Sequence, residues 1–191
     1  MASDSLPPAV LVRHLRGYGE TRQQHARAAR RGDEVRVGRG AYVSRVEWDA
    51  LGRRDQIVVR LGAYARTRAT PPVFSHWSAA LLHGLPFAAE RGDDIHVAVG
   101  RTTGGRSVKG VRVHSLHVPD ADIVEMDGLR CTSAARTVVD LAASSTTADA
   151  VAVADHVVRE VGQGALLAAW LTAQPMRGHR RARADHRRSG W

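Results

Sequence analysis

Residues 21–43, TRQQHARAARRGDEVRVGRGAYV, constrain the fold more tightly than any other stretch, because their hydrophobic period changes abruptly between two glycine-marked breaks. Up to Gly32 the spacing is helical. At 100° per residue His25, Ala28 and Ala29 share one side, while Gln23, Gln24, Arg27, Arg30 and Arg31 share the other. Thr21 is placed to cap this helix through its hydroxyl, and Gly32 to end it in a left-handed conformation. Val35 and Val37 then alternate with Arg36, Gly38-Arg39-Gly40 permits a turn, and Ala41-Tyr42-Val43 returns. A short basic helix must therefore run directly into a tight β-hairpin with Arg39 at its tip.

A helix followed by such a wing is one way in which small domains hold duplex DNA. The polar side of the helix has the required chemistry, since Gln pairs with the adenine edge, Arg with guanine, and further Arg with phosphate. The candidate DNA-contacting set is Thr21, Arg22, Gln23, Gln24, Arg27, Arg30, Arg31, Arg36 and Arg39. Within it Gln23, Gln24 and Arg27 are expected to read bases, and Arg30, Arg31, Arg36 and Arg39 to hold phosphates or the minor groove. The competing reading is a solvated amphipathic helix beside an ordinary hairpin.

Charge placement favours the first. Of 191 residues, 28 are Lys or Arg and 19 are Asp or Glu, a formal net charge of +9. Residues 1–45 hold nine Arg against four acids and residues 175–191 hold six Arg against one, which leaves the body near neutrality. A basic head and tail around a neutral body point to a polyanion at the ends and another kind of partner in the middle. Cys131 is the sole cysteine, so neither a disulfide nor a thiolate zinc cluster is expected, in keeping with a reducing cytoplasm. The first ten residues, MASDSLPPAV, lack the pattern of a secretory signal, and no apolar run approaches membrane-spanning length. No membrane association and no cofactor are expected.

Along the chain, residues 9–15 supply apolar positions for a first helix, which with the basic helix and hairpin would make a minimal winged helix-turn-helix over residues 1–46. A helical stripe through Trp48, Leu51, Val58, Leu61 and Ala65 predicts one bridging helix over residues 47–69. A mixed helix-and-strand domain is expected over 70–172. Its elements are a helix from Ser75 to Gly84, strands at 94–99, 111–118, 123–126 and 129–131, an Asp127-Gly128 hairpin turn, and helices after Ser133, at 148–161 and at 165–172. Residues 173–191 read as a disordered basic tail adding nonspecific affinity. The fold class is thus α+β: an N-terminal winged helix-turn-helix, a small mixed domain and C-terminal helices.

Three constellations suggest other chemistry. Residues 100–107, GRTTGGRS, copy the spacing of a phosphate-binding loop with Arg106 in place of lysine, but a strand pattern follows where a helix is required. His76, His83, His96, His114 and His117 could converge from a helix and two strands, yet none has a paired zinc spacing, so structural histidines and no metal are the expectation. Ser75-His76 with Asp140 suggests a hydrolase triad, but neighbours on a helix do not face each other and no Gly-x-Ser-x-Gly turn is present. No catalytic arrangement survives, and the chain is expected not to be an enzyme.

Arg30-Arg31-Gly32 leading to Arg39-Gly40-Ala41-Tyr42-Val43, then Ser75-His76-Trp77-Ser78-Ala79-Ala80 with His83-Gly84-Leu85-Pro86, then Val111-Arg112-Val113-His114, and finally Asp127-Gly128-Leu129-Arg130 with Thr132-Ser133 and residues 135–141, ARTVVDL, together resemble actinobacterial proteins of the AbiEi antitoxin type. The likeness covers residues 20–145, and its specificity lies in the order of the blocks. It implies a winged helix that represses its own operon and a following domain that counters a nucleotidyltransferase-like toxin in a type IV toxin-antitoxin pair. Relatives tend to carry an aliphatic residue at the position of His25, which predicts looser packing of the basic helix here. Many also continue into a Vsr-like endonuclease domain with a catalytic Asp and a later Glu-x-Lys, a motif this sequence lacks. The partners expected are duplex DNA, bound as a homodimer on a two-fold operator, and such a toxin. The alternatives are a protein-interaction module with no specific DNA target, or a remnant of a Vsr-like endonuclease protein.

Overall fold

The structure is a computed structural model that describes residues 13–14, 19–86, 94–100, 106–144 and 146–173; the side chains of 13, 14, 19–22, 147–149 and 172 are not among those described. The chain is mixed α+β, with six α-helices and two sheets among the described residues. It divides into two compact units, Met1–Pro71 and Pro72–Trp191. The basic tail lies outside the described residues.

In the first unit, α1 (Gly19–Arg31) runs into a hairpin of β2 (Glu34–Gly38) and β3 (Ala41–Ser44). Because α1 begins at Gly19, Thr21 lies within its first turn and does not occupy the capping position expected of it. The other end is as expected. Gly32 has φ +90°, with its amide donating to Ala29 O at 3.3 Å and the Asp33 amide to Ala28 O at 3.0 Å, a doubly bonded left-handed stop. A Cβ at Gly32 would meet nothing within 4 Å, so the residue is required by its backbone angle alone. Gly32→Ala is expected to lower stability by about 1–2 kcal/mol, measured by urea denaturation.

The first helix expected over residues 9–15 is corrected where it can be described. Arg13 and His14 form a short strand, β1, antiparallel to β3 with Arg13 opposite Tyr42 and His14 opposite Ala41. The cause is hydrogen bonding: β3 is buried at Ala41, Tyr42 and Val43, so its second edge needs a partner for its backbone groups. The sheet order is β1-β3-β2. The single bridging helix is also corrected, to α2 (Arg45–Ala50) and α3 (Arg53–Arg66), broken at Leu51-Gly52. Gln56 makes the break favourable, its side-chain amide donating to Trp48 O at 3.0 Å and Leu51 O at 3.3 Å, which satisfies carbonyls at the end of α2. Both helices fall within Met1–Pro71. Trp48 and Ala63 pack with Val37, Ala41 and Val43 of the hairpin, so α2 and α3 supply the core on which the hairpin rests.

The second unit carries a five-stranded sheet of order β6-β5-β4-β8-β7. Its strands are β4 (Val73–Phe74), β5 (Ile95–Val99), β6 (Val111–Ser115), β7 (Ile123–Met126) and β8 (Leu129–Thr132). β4 was not expected, being two residues long after Pro71-Pro72, yet it lies between β5 and β8, antiparallel to one and parallel to the other. β5 and β6 are parallel, with Ala98 opposite His114 and His96 opposite Arg112. The β7–β8 hairpin turns through Asp127 at φ 52° and Gly128 at φ 74°, the mirror-image turn that its Asp-Gly pair favours. Helices α4 (His76–Leu82), α5 (Ala134–Ala142) and α6 (Thr147–Thr172, interrupted at Gly162) complete the unit. Ser133 caps α5 by accepting from the Arg136 amide. Ala80 and Leu85 pack with Val138, Leu141, Val153 and Val157 in the main core cluster.

Candidate functional site

The polar face of α1 is formed as its spacing predicts. Gln23, Gln24, Arg27, Arg30 and Arg31 are exposed, whereas His25, Ala28 and Ala29 are half-buried. Thr21 and Arg22 belong to α1 by backbone, and their side chains lie outside the description. His25 ties the helix to the hairpin. Its Nδ1 lies 2.8 Å from the Glu34 carboxylate, and its ring stacks on Tyr42 with centroids 5.7 Å apart, so a polar contact joins α1 to both strands. The helix is thereby held against the hairpin through the side facing away from its arginines.

The arginines divide by what they touch. Arg31 Nε donates to Asp33 at 2.9 Å and Arg36 Nε to Gly38 O at 3.2 Å, and both remain exposed. Arg27, Arg30 and Arg39 are exposed and make no hydrogen bond or ion pair among the described residues. Among the described side chains of the set, theirs are the charges without such a partner. An exposed ion pair such as Arg31–Asp33 contributes about 0–1 kcal/mol, so it holds the arginine only weakly.

A second feature lies in the other unit. His76 at the start of α4, His96 on β5 and His114 on β6 bring their rings together, three of the five histidines that were weighed and expected to be structural. His96 Nδ1 and His114 Nε2 are 3.0 Å apart, and the His76 ring stacks on that of His114 at 3.6 Å. Burial holds all three imidazoles neutral. It lowers His76 to about 2, aided by His114, His96 and Arg136, and lowers His96 to about 4, where His114 and Arg112 add to it and Asp94 opposes. His114 is lowered to about 4 by burial and then by Arg112. His83 and His117 do not join: His83 Nε2 donates to Thr132 O at 2.8 Å, and His117 is exposed. The signal available in sequence was alternation, since positions 96 and 114 fall on the same face of adjacent strands once the β5–β6 register is known.

Ser75 and His76 do meet, contrary to the helical-neighbour argument: Ser75 Oγ is 3.1 Å from His76 Nδ1. His76 has φ +49° and Ser75 is extended, so the pair precedes regular helix geometry. Asp140 is not part of a triad, because its Oδ1 accepts from Arg136 Nε at 3.0 Å. Arg136, 2% exposed, also donates to Asp122 Oδ2 at 3.4 Å and to His117 O at 3.1 Å. The buried Cys131 thiol is pushed up to about 12 by burial and is no nucleophile. At the glycine-rich loop, Val111–Ser115 is a strand as expected, and residues 101–105 lie outside the description. No helix of the described residues is long and apolar enough to cross a membrane. In comparisons with known proteins, the chain matches no family model and no curated protein.

Proposed function

We propose that the first unit binds duplex DNA through α1 and the β2–β3 hairpin, and that the chain is a binding protein, not an enzyme: a winged helix-turn-helix regulator of the antitoxin type that represses its own operon. The observation that carries this reading is the exposure of Arg27, Arg30 and Arg39, unpaired among the described residues, beside exposed Gln23 and Gln24 on an anchored helix. Gln23, Gln24 and Arg27 enter the major groove, because residues in the earlier turns of a recognition helix reach base edges. Arg30, Arg31, Arg36 and Arg39 hold phosphates or the minor groove beside the wing, with Thr21 and Arg22 at the entry of the helix. Two copies on a two-fold operator, with half-sites about one helical turn apart or a multiple of it, complete the arrangement.

Titrations at several salt concentrations test the division of roles. Arg27→Ala is expected to cost about 1–3 kcal/mol on the preferred site and blur its sequence preference. Arg39→Ala should weaken all duplexes alike and reduce the salt slope by about one. Indistinguishable behaviour of the two variants would reduce α1 to an electrostatic anchor.

A protein partner for the second unit, a nucleotidyltransferase-like toxin, is supported by the resemblance and by one apolar row. Leu167, Trp170 and Leu171 are 59%, 55% and 75% exposed at helical spacing on α6. A nucleotidyltransferase encoded in the same operon that co-purifies with the chain, and is lost on Trp170→Asp, supports this role. Retention by that variant moves the contact elsewhere.

A further inference from the structure

We propose that His76, His96 and His114 form a binding site for one divalent transition-metal ion of the zinc class. Each comes from a different element, and one nitrogen from each lies within 4.8 Å of the others. The ion sought by three neutral imidazoles is borderline in softness, and nothing about the set suits calcium or magnesium, which take oxygen ligands.

His76 supplies the observation that a purely structural cluster leaves unexplained. Its side chain is 1% exposed, its Nδ1 is engaged by Ser75 Oγ, and its Nε2 is buried with no hydrogen-bond partner. An unsatisfied buried polar atom is costly, and the left-handed backbone at His76 adds strain. Both costs are borne to hold one imidazole against two others. With Nδ1–H donating to Ser75 Oγ, His76 presents the Nε2 lone pair, and the hydroxyl fixes the ring in the way that outer partners of metal-bound histidines do.

The spacing suits an ion after a small rearrangement. Zn–N bonds of about 2.0–2.1 Å in a tetrahedral shell hold ligand nitrogens about 3.3 Å apart. His96 Nδ1 and His114 Nε2 are already at 3.0 Å, so on ion binding the proton between them moves to the other nitrogen of the ring that carries it, leaving that ring neutral, and the His76–His114 stack opens to turn the third lone pair inward. His114 is only half-buried, so the cluster is reached by solvent from its side. Arg112 and Arg136 are opposing charges nearby; Asp94 offsets the first by accepting from Arg112 Nε at 2.8 Å, and Asp140 the second by accepting from Arg136 Nε at 3.0 Å.

The test uses the full chain, stripped of metal with a chelator and titrated with Co2+ and with Zn2+. Expected are one ion per chain, visible ligand-field bands of tetrahedral Co2+ that Zn2+ abolishes, and loss of affinity by at least about 100-fold in His114→Ala. His117→Ala, an exposed histidine outside the cluster, should bind as the unaltered chain does. Should His114→Ala fail to fold by circular dichroism, the imidazole nitrogen resonances of the unaltered chain decide: three shifted sets on adding Zn2+ support the site. Absence of the bands, bands that persist in folded His114→Ala, or no shifted imidazole resonances would overturn it.

Discussion

Arg136→Ala is expected to destabilise the second unit by about 3–5 kcal/mol, the cost of removing one partner from a buried ionic network. The side chain is 2% exposed and its three groups are all engaged, by Asp140, by Asp122 and by the carbonyl of His117. Truncation strands the Asp140 carboxylate, itself 1% exposed, with its Oδ1 as bare as its Oδ2 already is. It also removes the tie between α5 and the connection from β6 to β7. Burial already raises the Asp140 carboxyl above the usual range, and Arg136 is what opposes that rise. In the variant the carboxyl therefore takes up a proton more readily when folded than when unfolded, which stabilises below the unfolded pKa and fades as pH rises through the folded one. The deficit relative to the unaltered chain should accordingly shrink as pH falls. A second substitution, Asp140→Leu, placed in the same chain should recover part of the loss, since it removes the orphaned charge. Urea denaturation of the single and double variants measures both effects, and a single variant within about 1 kcal/mol of the parent would show that the network is dispensable.

How far the sequence carried can be judged from the same residues. Arg136 and Asp140 lie at i and i+4 on a helix that Ser133 visibly caps, so their contact was available from spacing. That the pair is buried was not, because their burial is created by Asp122 and residue 117, which are distant in sequence. The α1–β2–β3 run was legible because every break in it is written locally, at Gly32 and at Gly38-Arg39-Gly40. β1 was not, since a two-residue strand has no periodicity and exists by pairing with β3. The helix stripe over residues 47–69 had the right buried positions in Trp48, Val58 and Leu61 but gave no sign of the break, which Gln56 makes good from eight residues away. Among the histidines, short spacing could not show which of them converge, because convergence depends on the β5–β6 register and on the backbone turn at His76.

Acid should undo the second unit in the same place. In chain freed of metal and kept in chelator, His76, His96 and His114 are neutral, held below the ordinary value of 6.5 at about 2, 4 and 4. The unfolded chain takes up these protons first as pH falls, so stability is fully present above about pH 6.5 and declines below it, until each folded pKa is reached. Each buried histidine contributes a slope of up to about 1.4 kcal/mol per pH unit, and half-buried His114 contributes less because solvent screens it. By about pH 5 the combined loss is on the order of 4 kcal/mol, comparable with the whole stability of a marginal domain. The surrounding charges change the size of this effect and not its sign: Arg112 and Arg136 repel the protons and Asp94 attracts one. The window between about pH 6.5 and pH 5 opens at the ordinary histidine value, so the first steep loss is assigned to these three imidazoles. His96→Gln should flatten that slope while His117→Ala leaves it alone, and equal urea midpoints for the parent at about pH 7 and pH 5 would refute the assignment. Adding Zn2+ in place of chelator should move the decline to lower pH, because an ion on the three nitrogens must be displaced before they can be protonated.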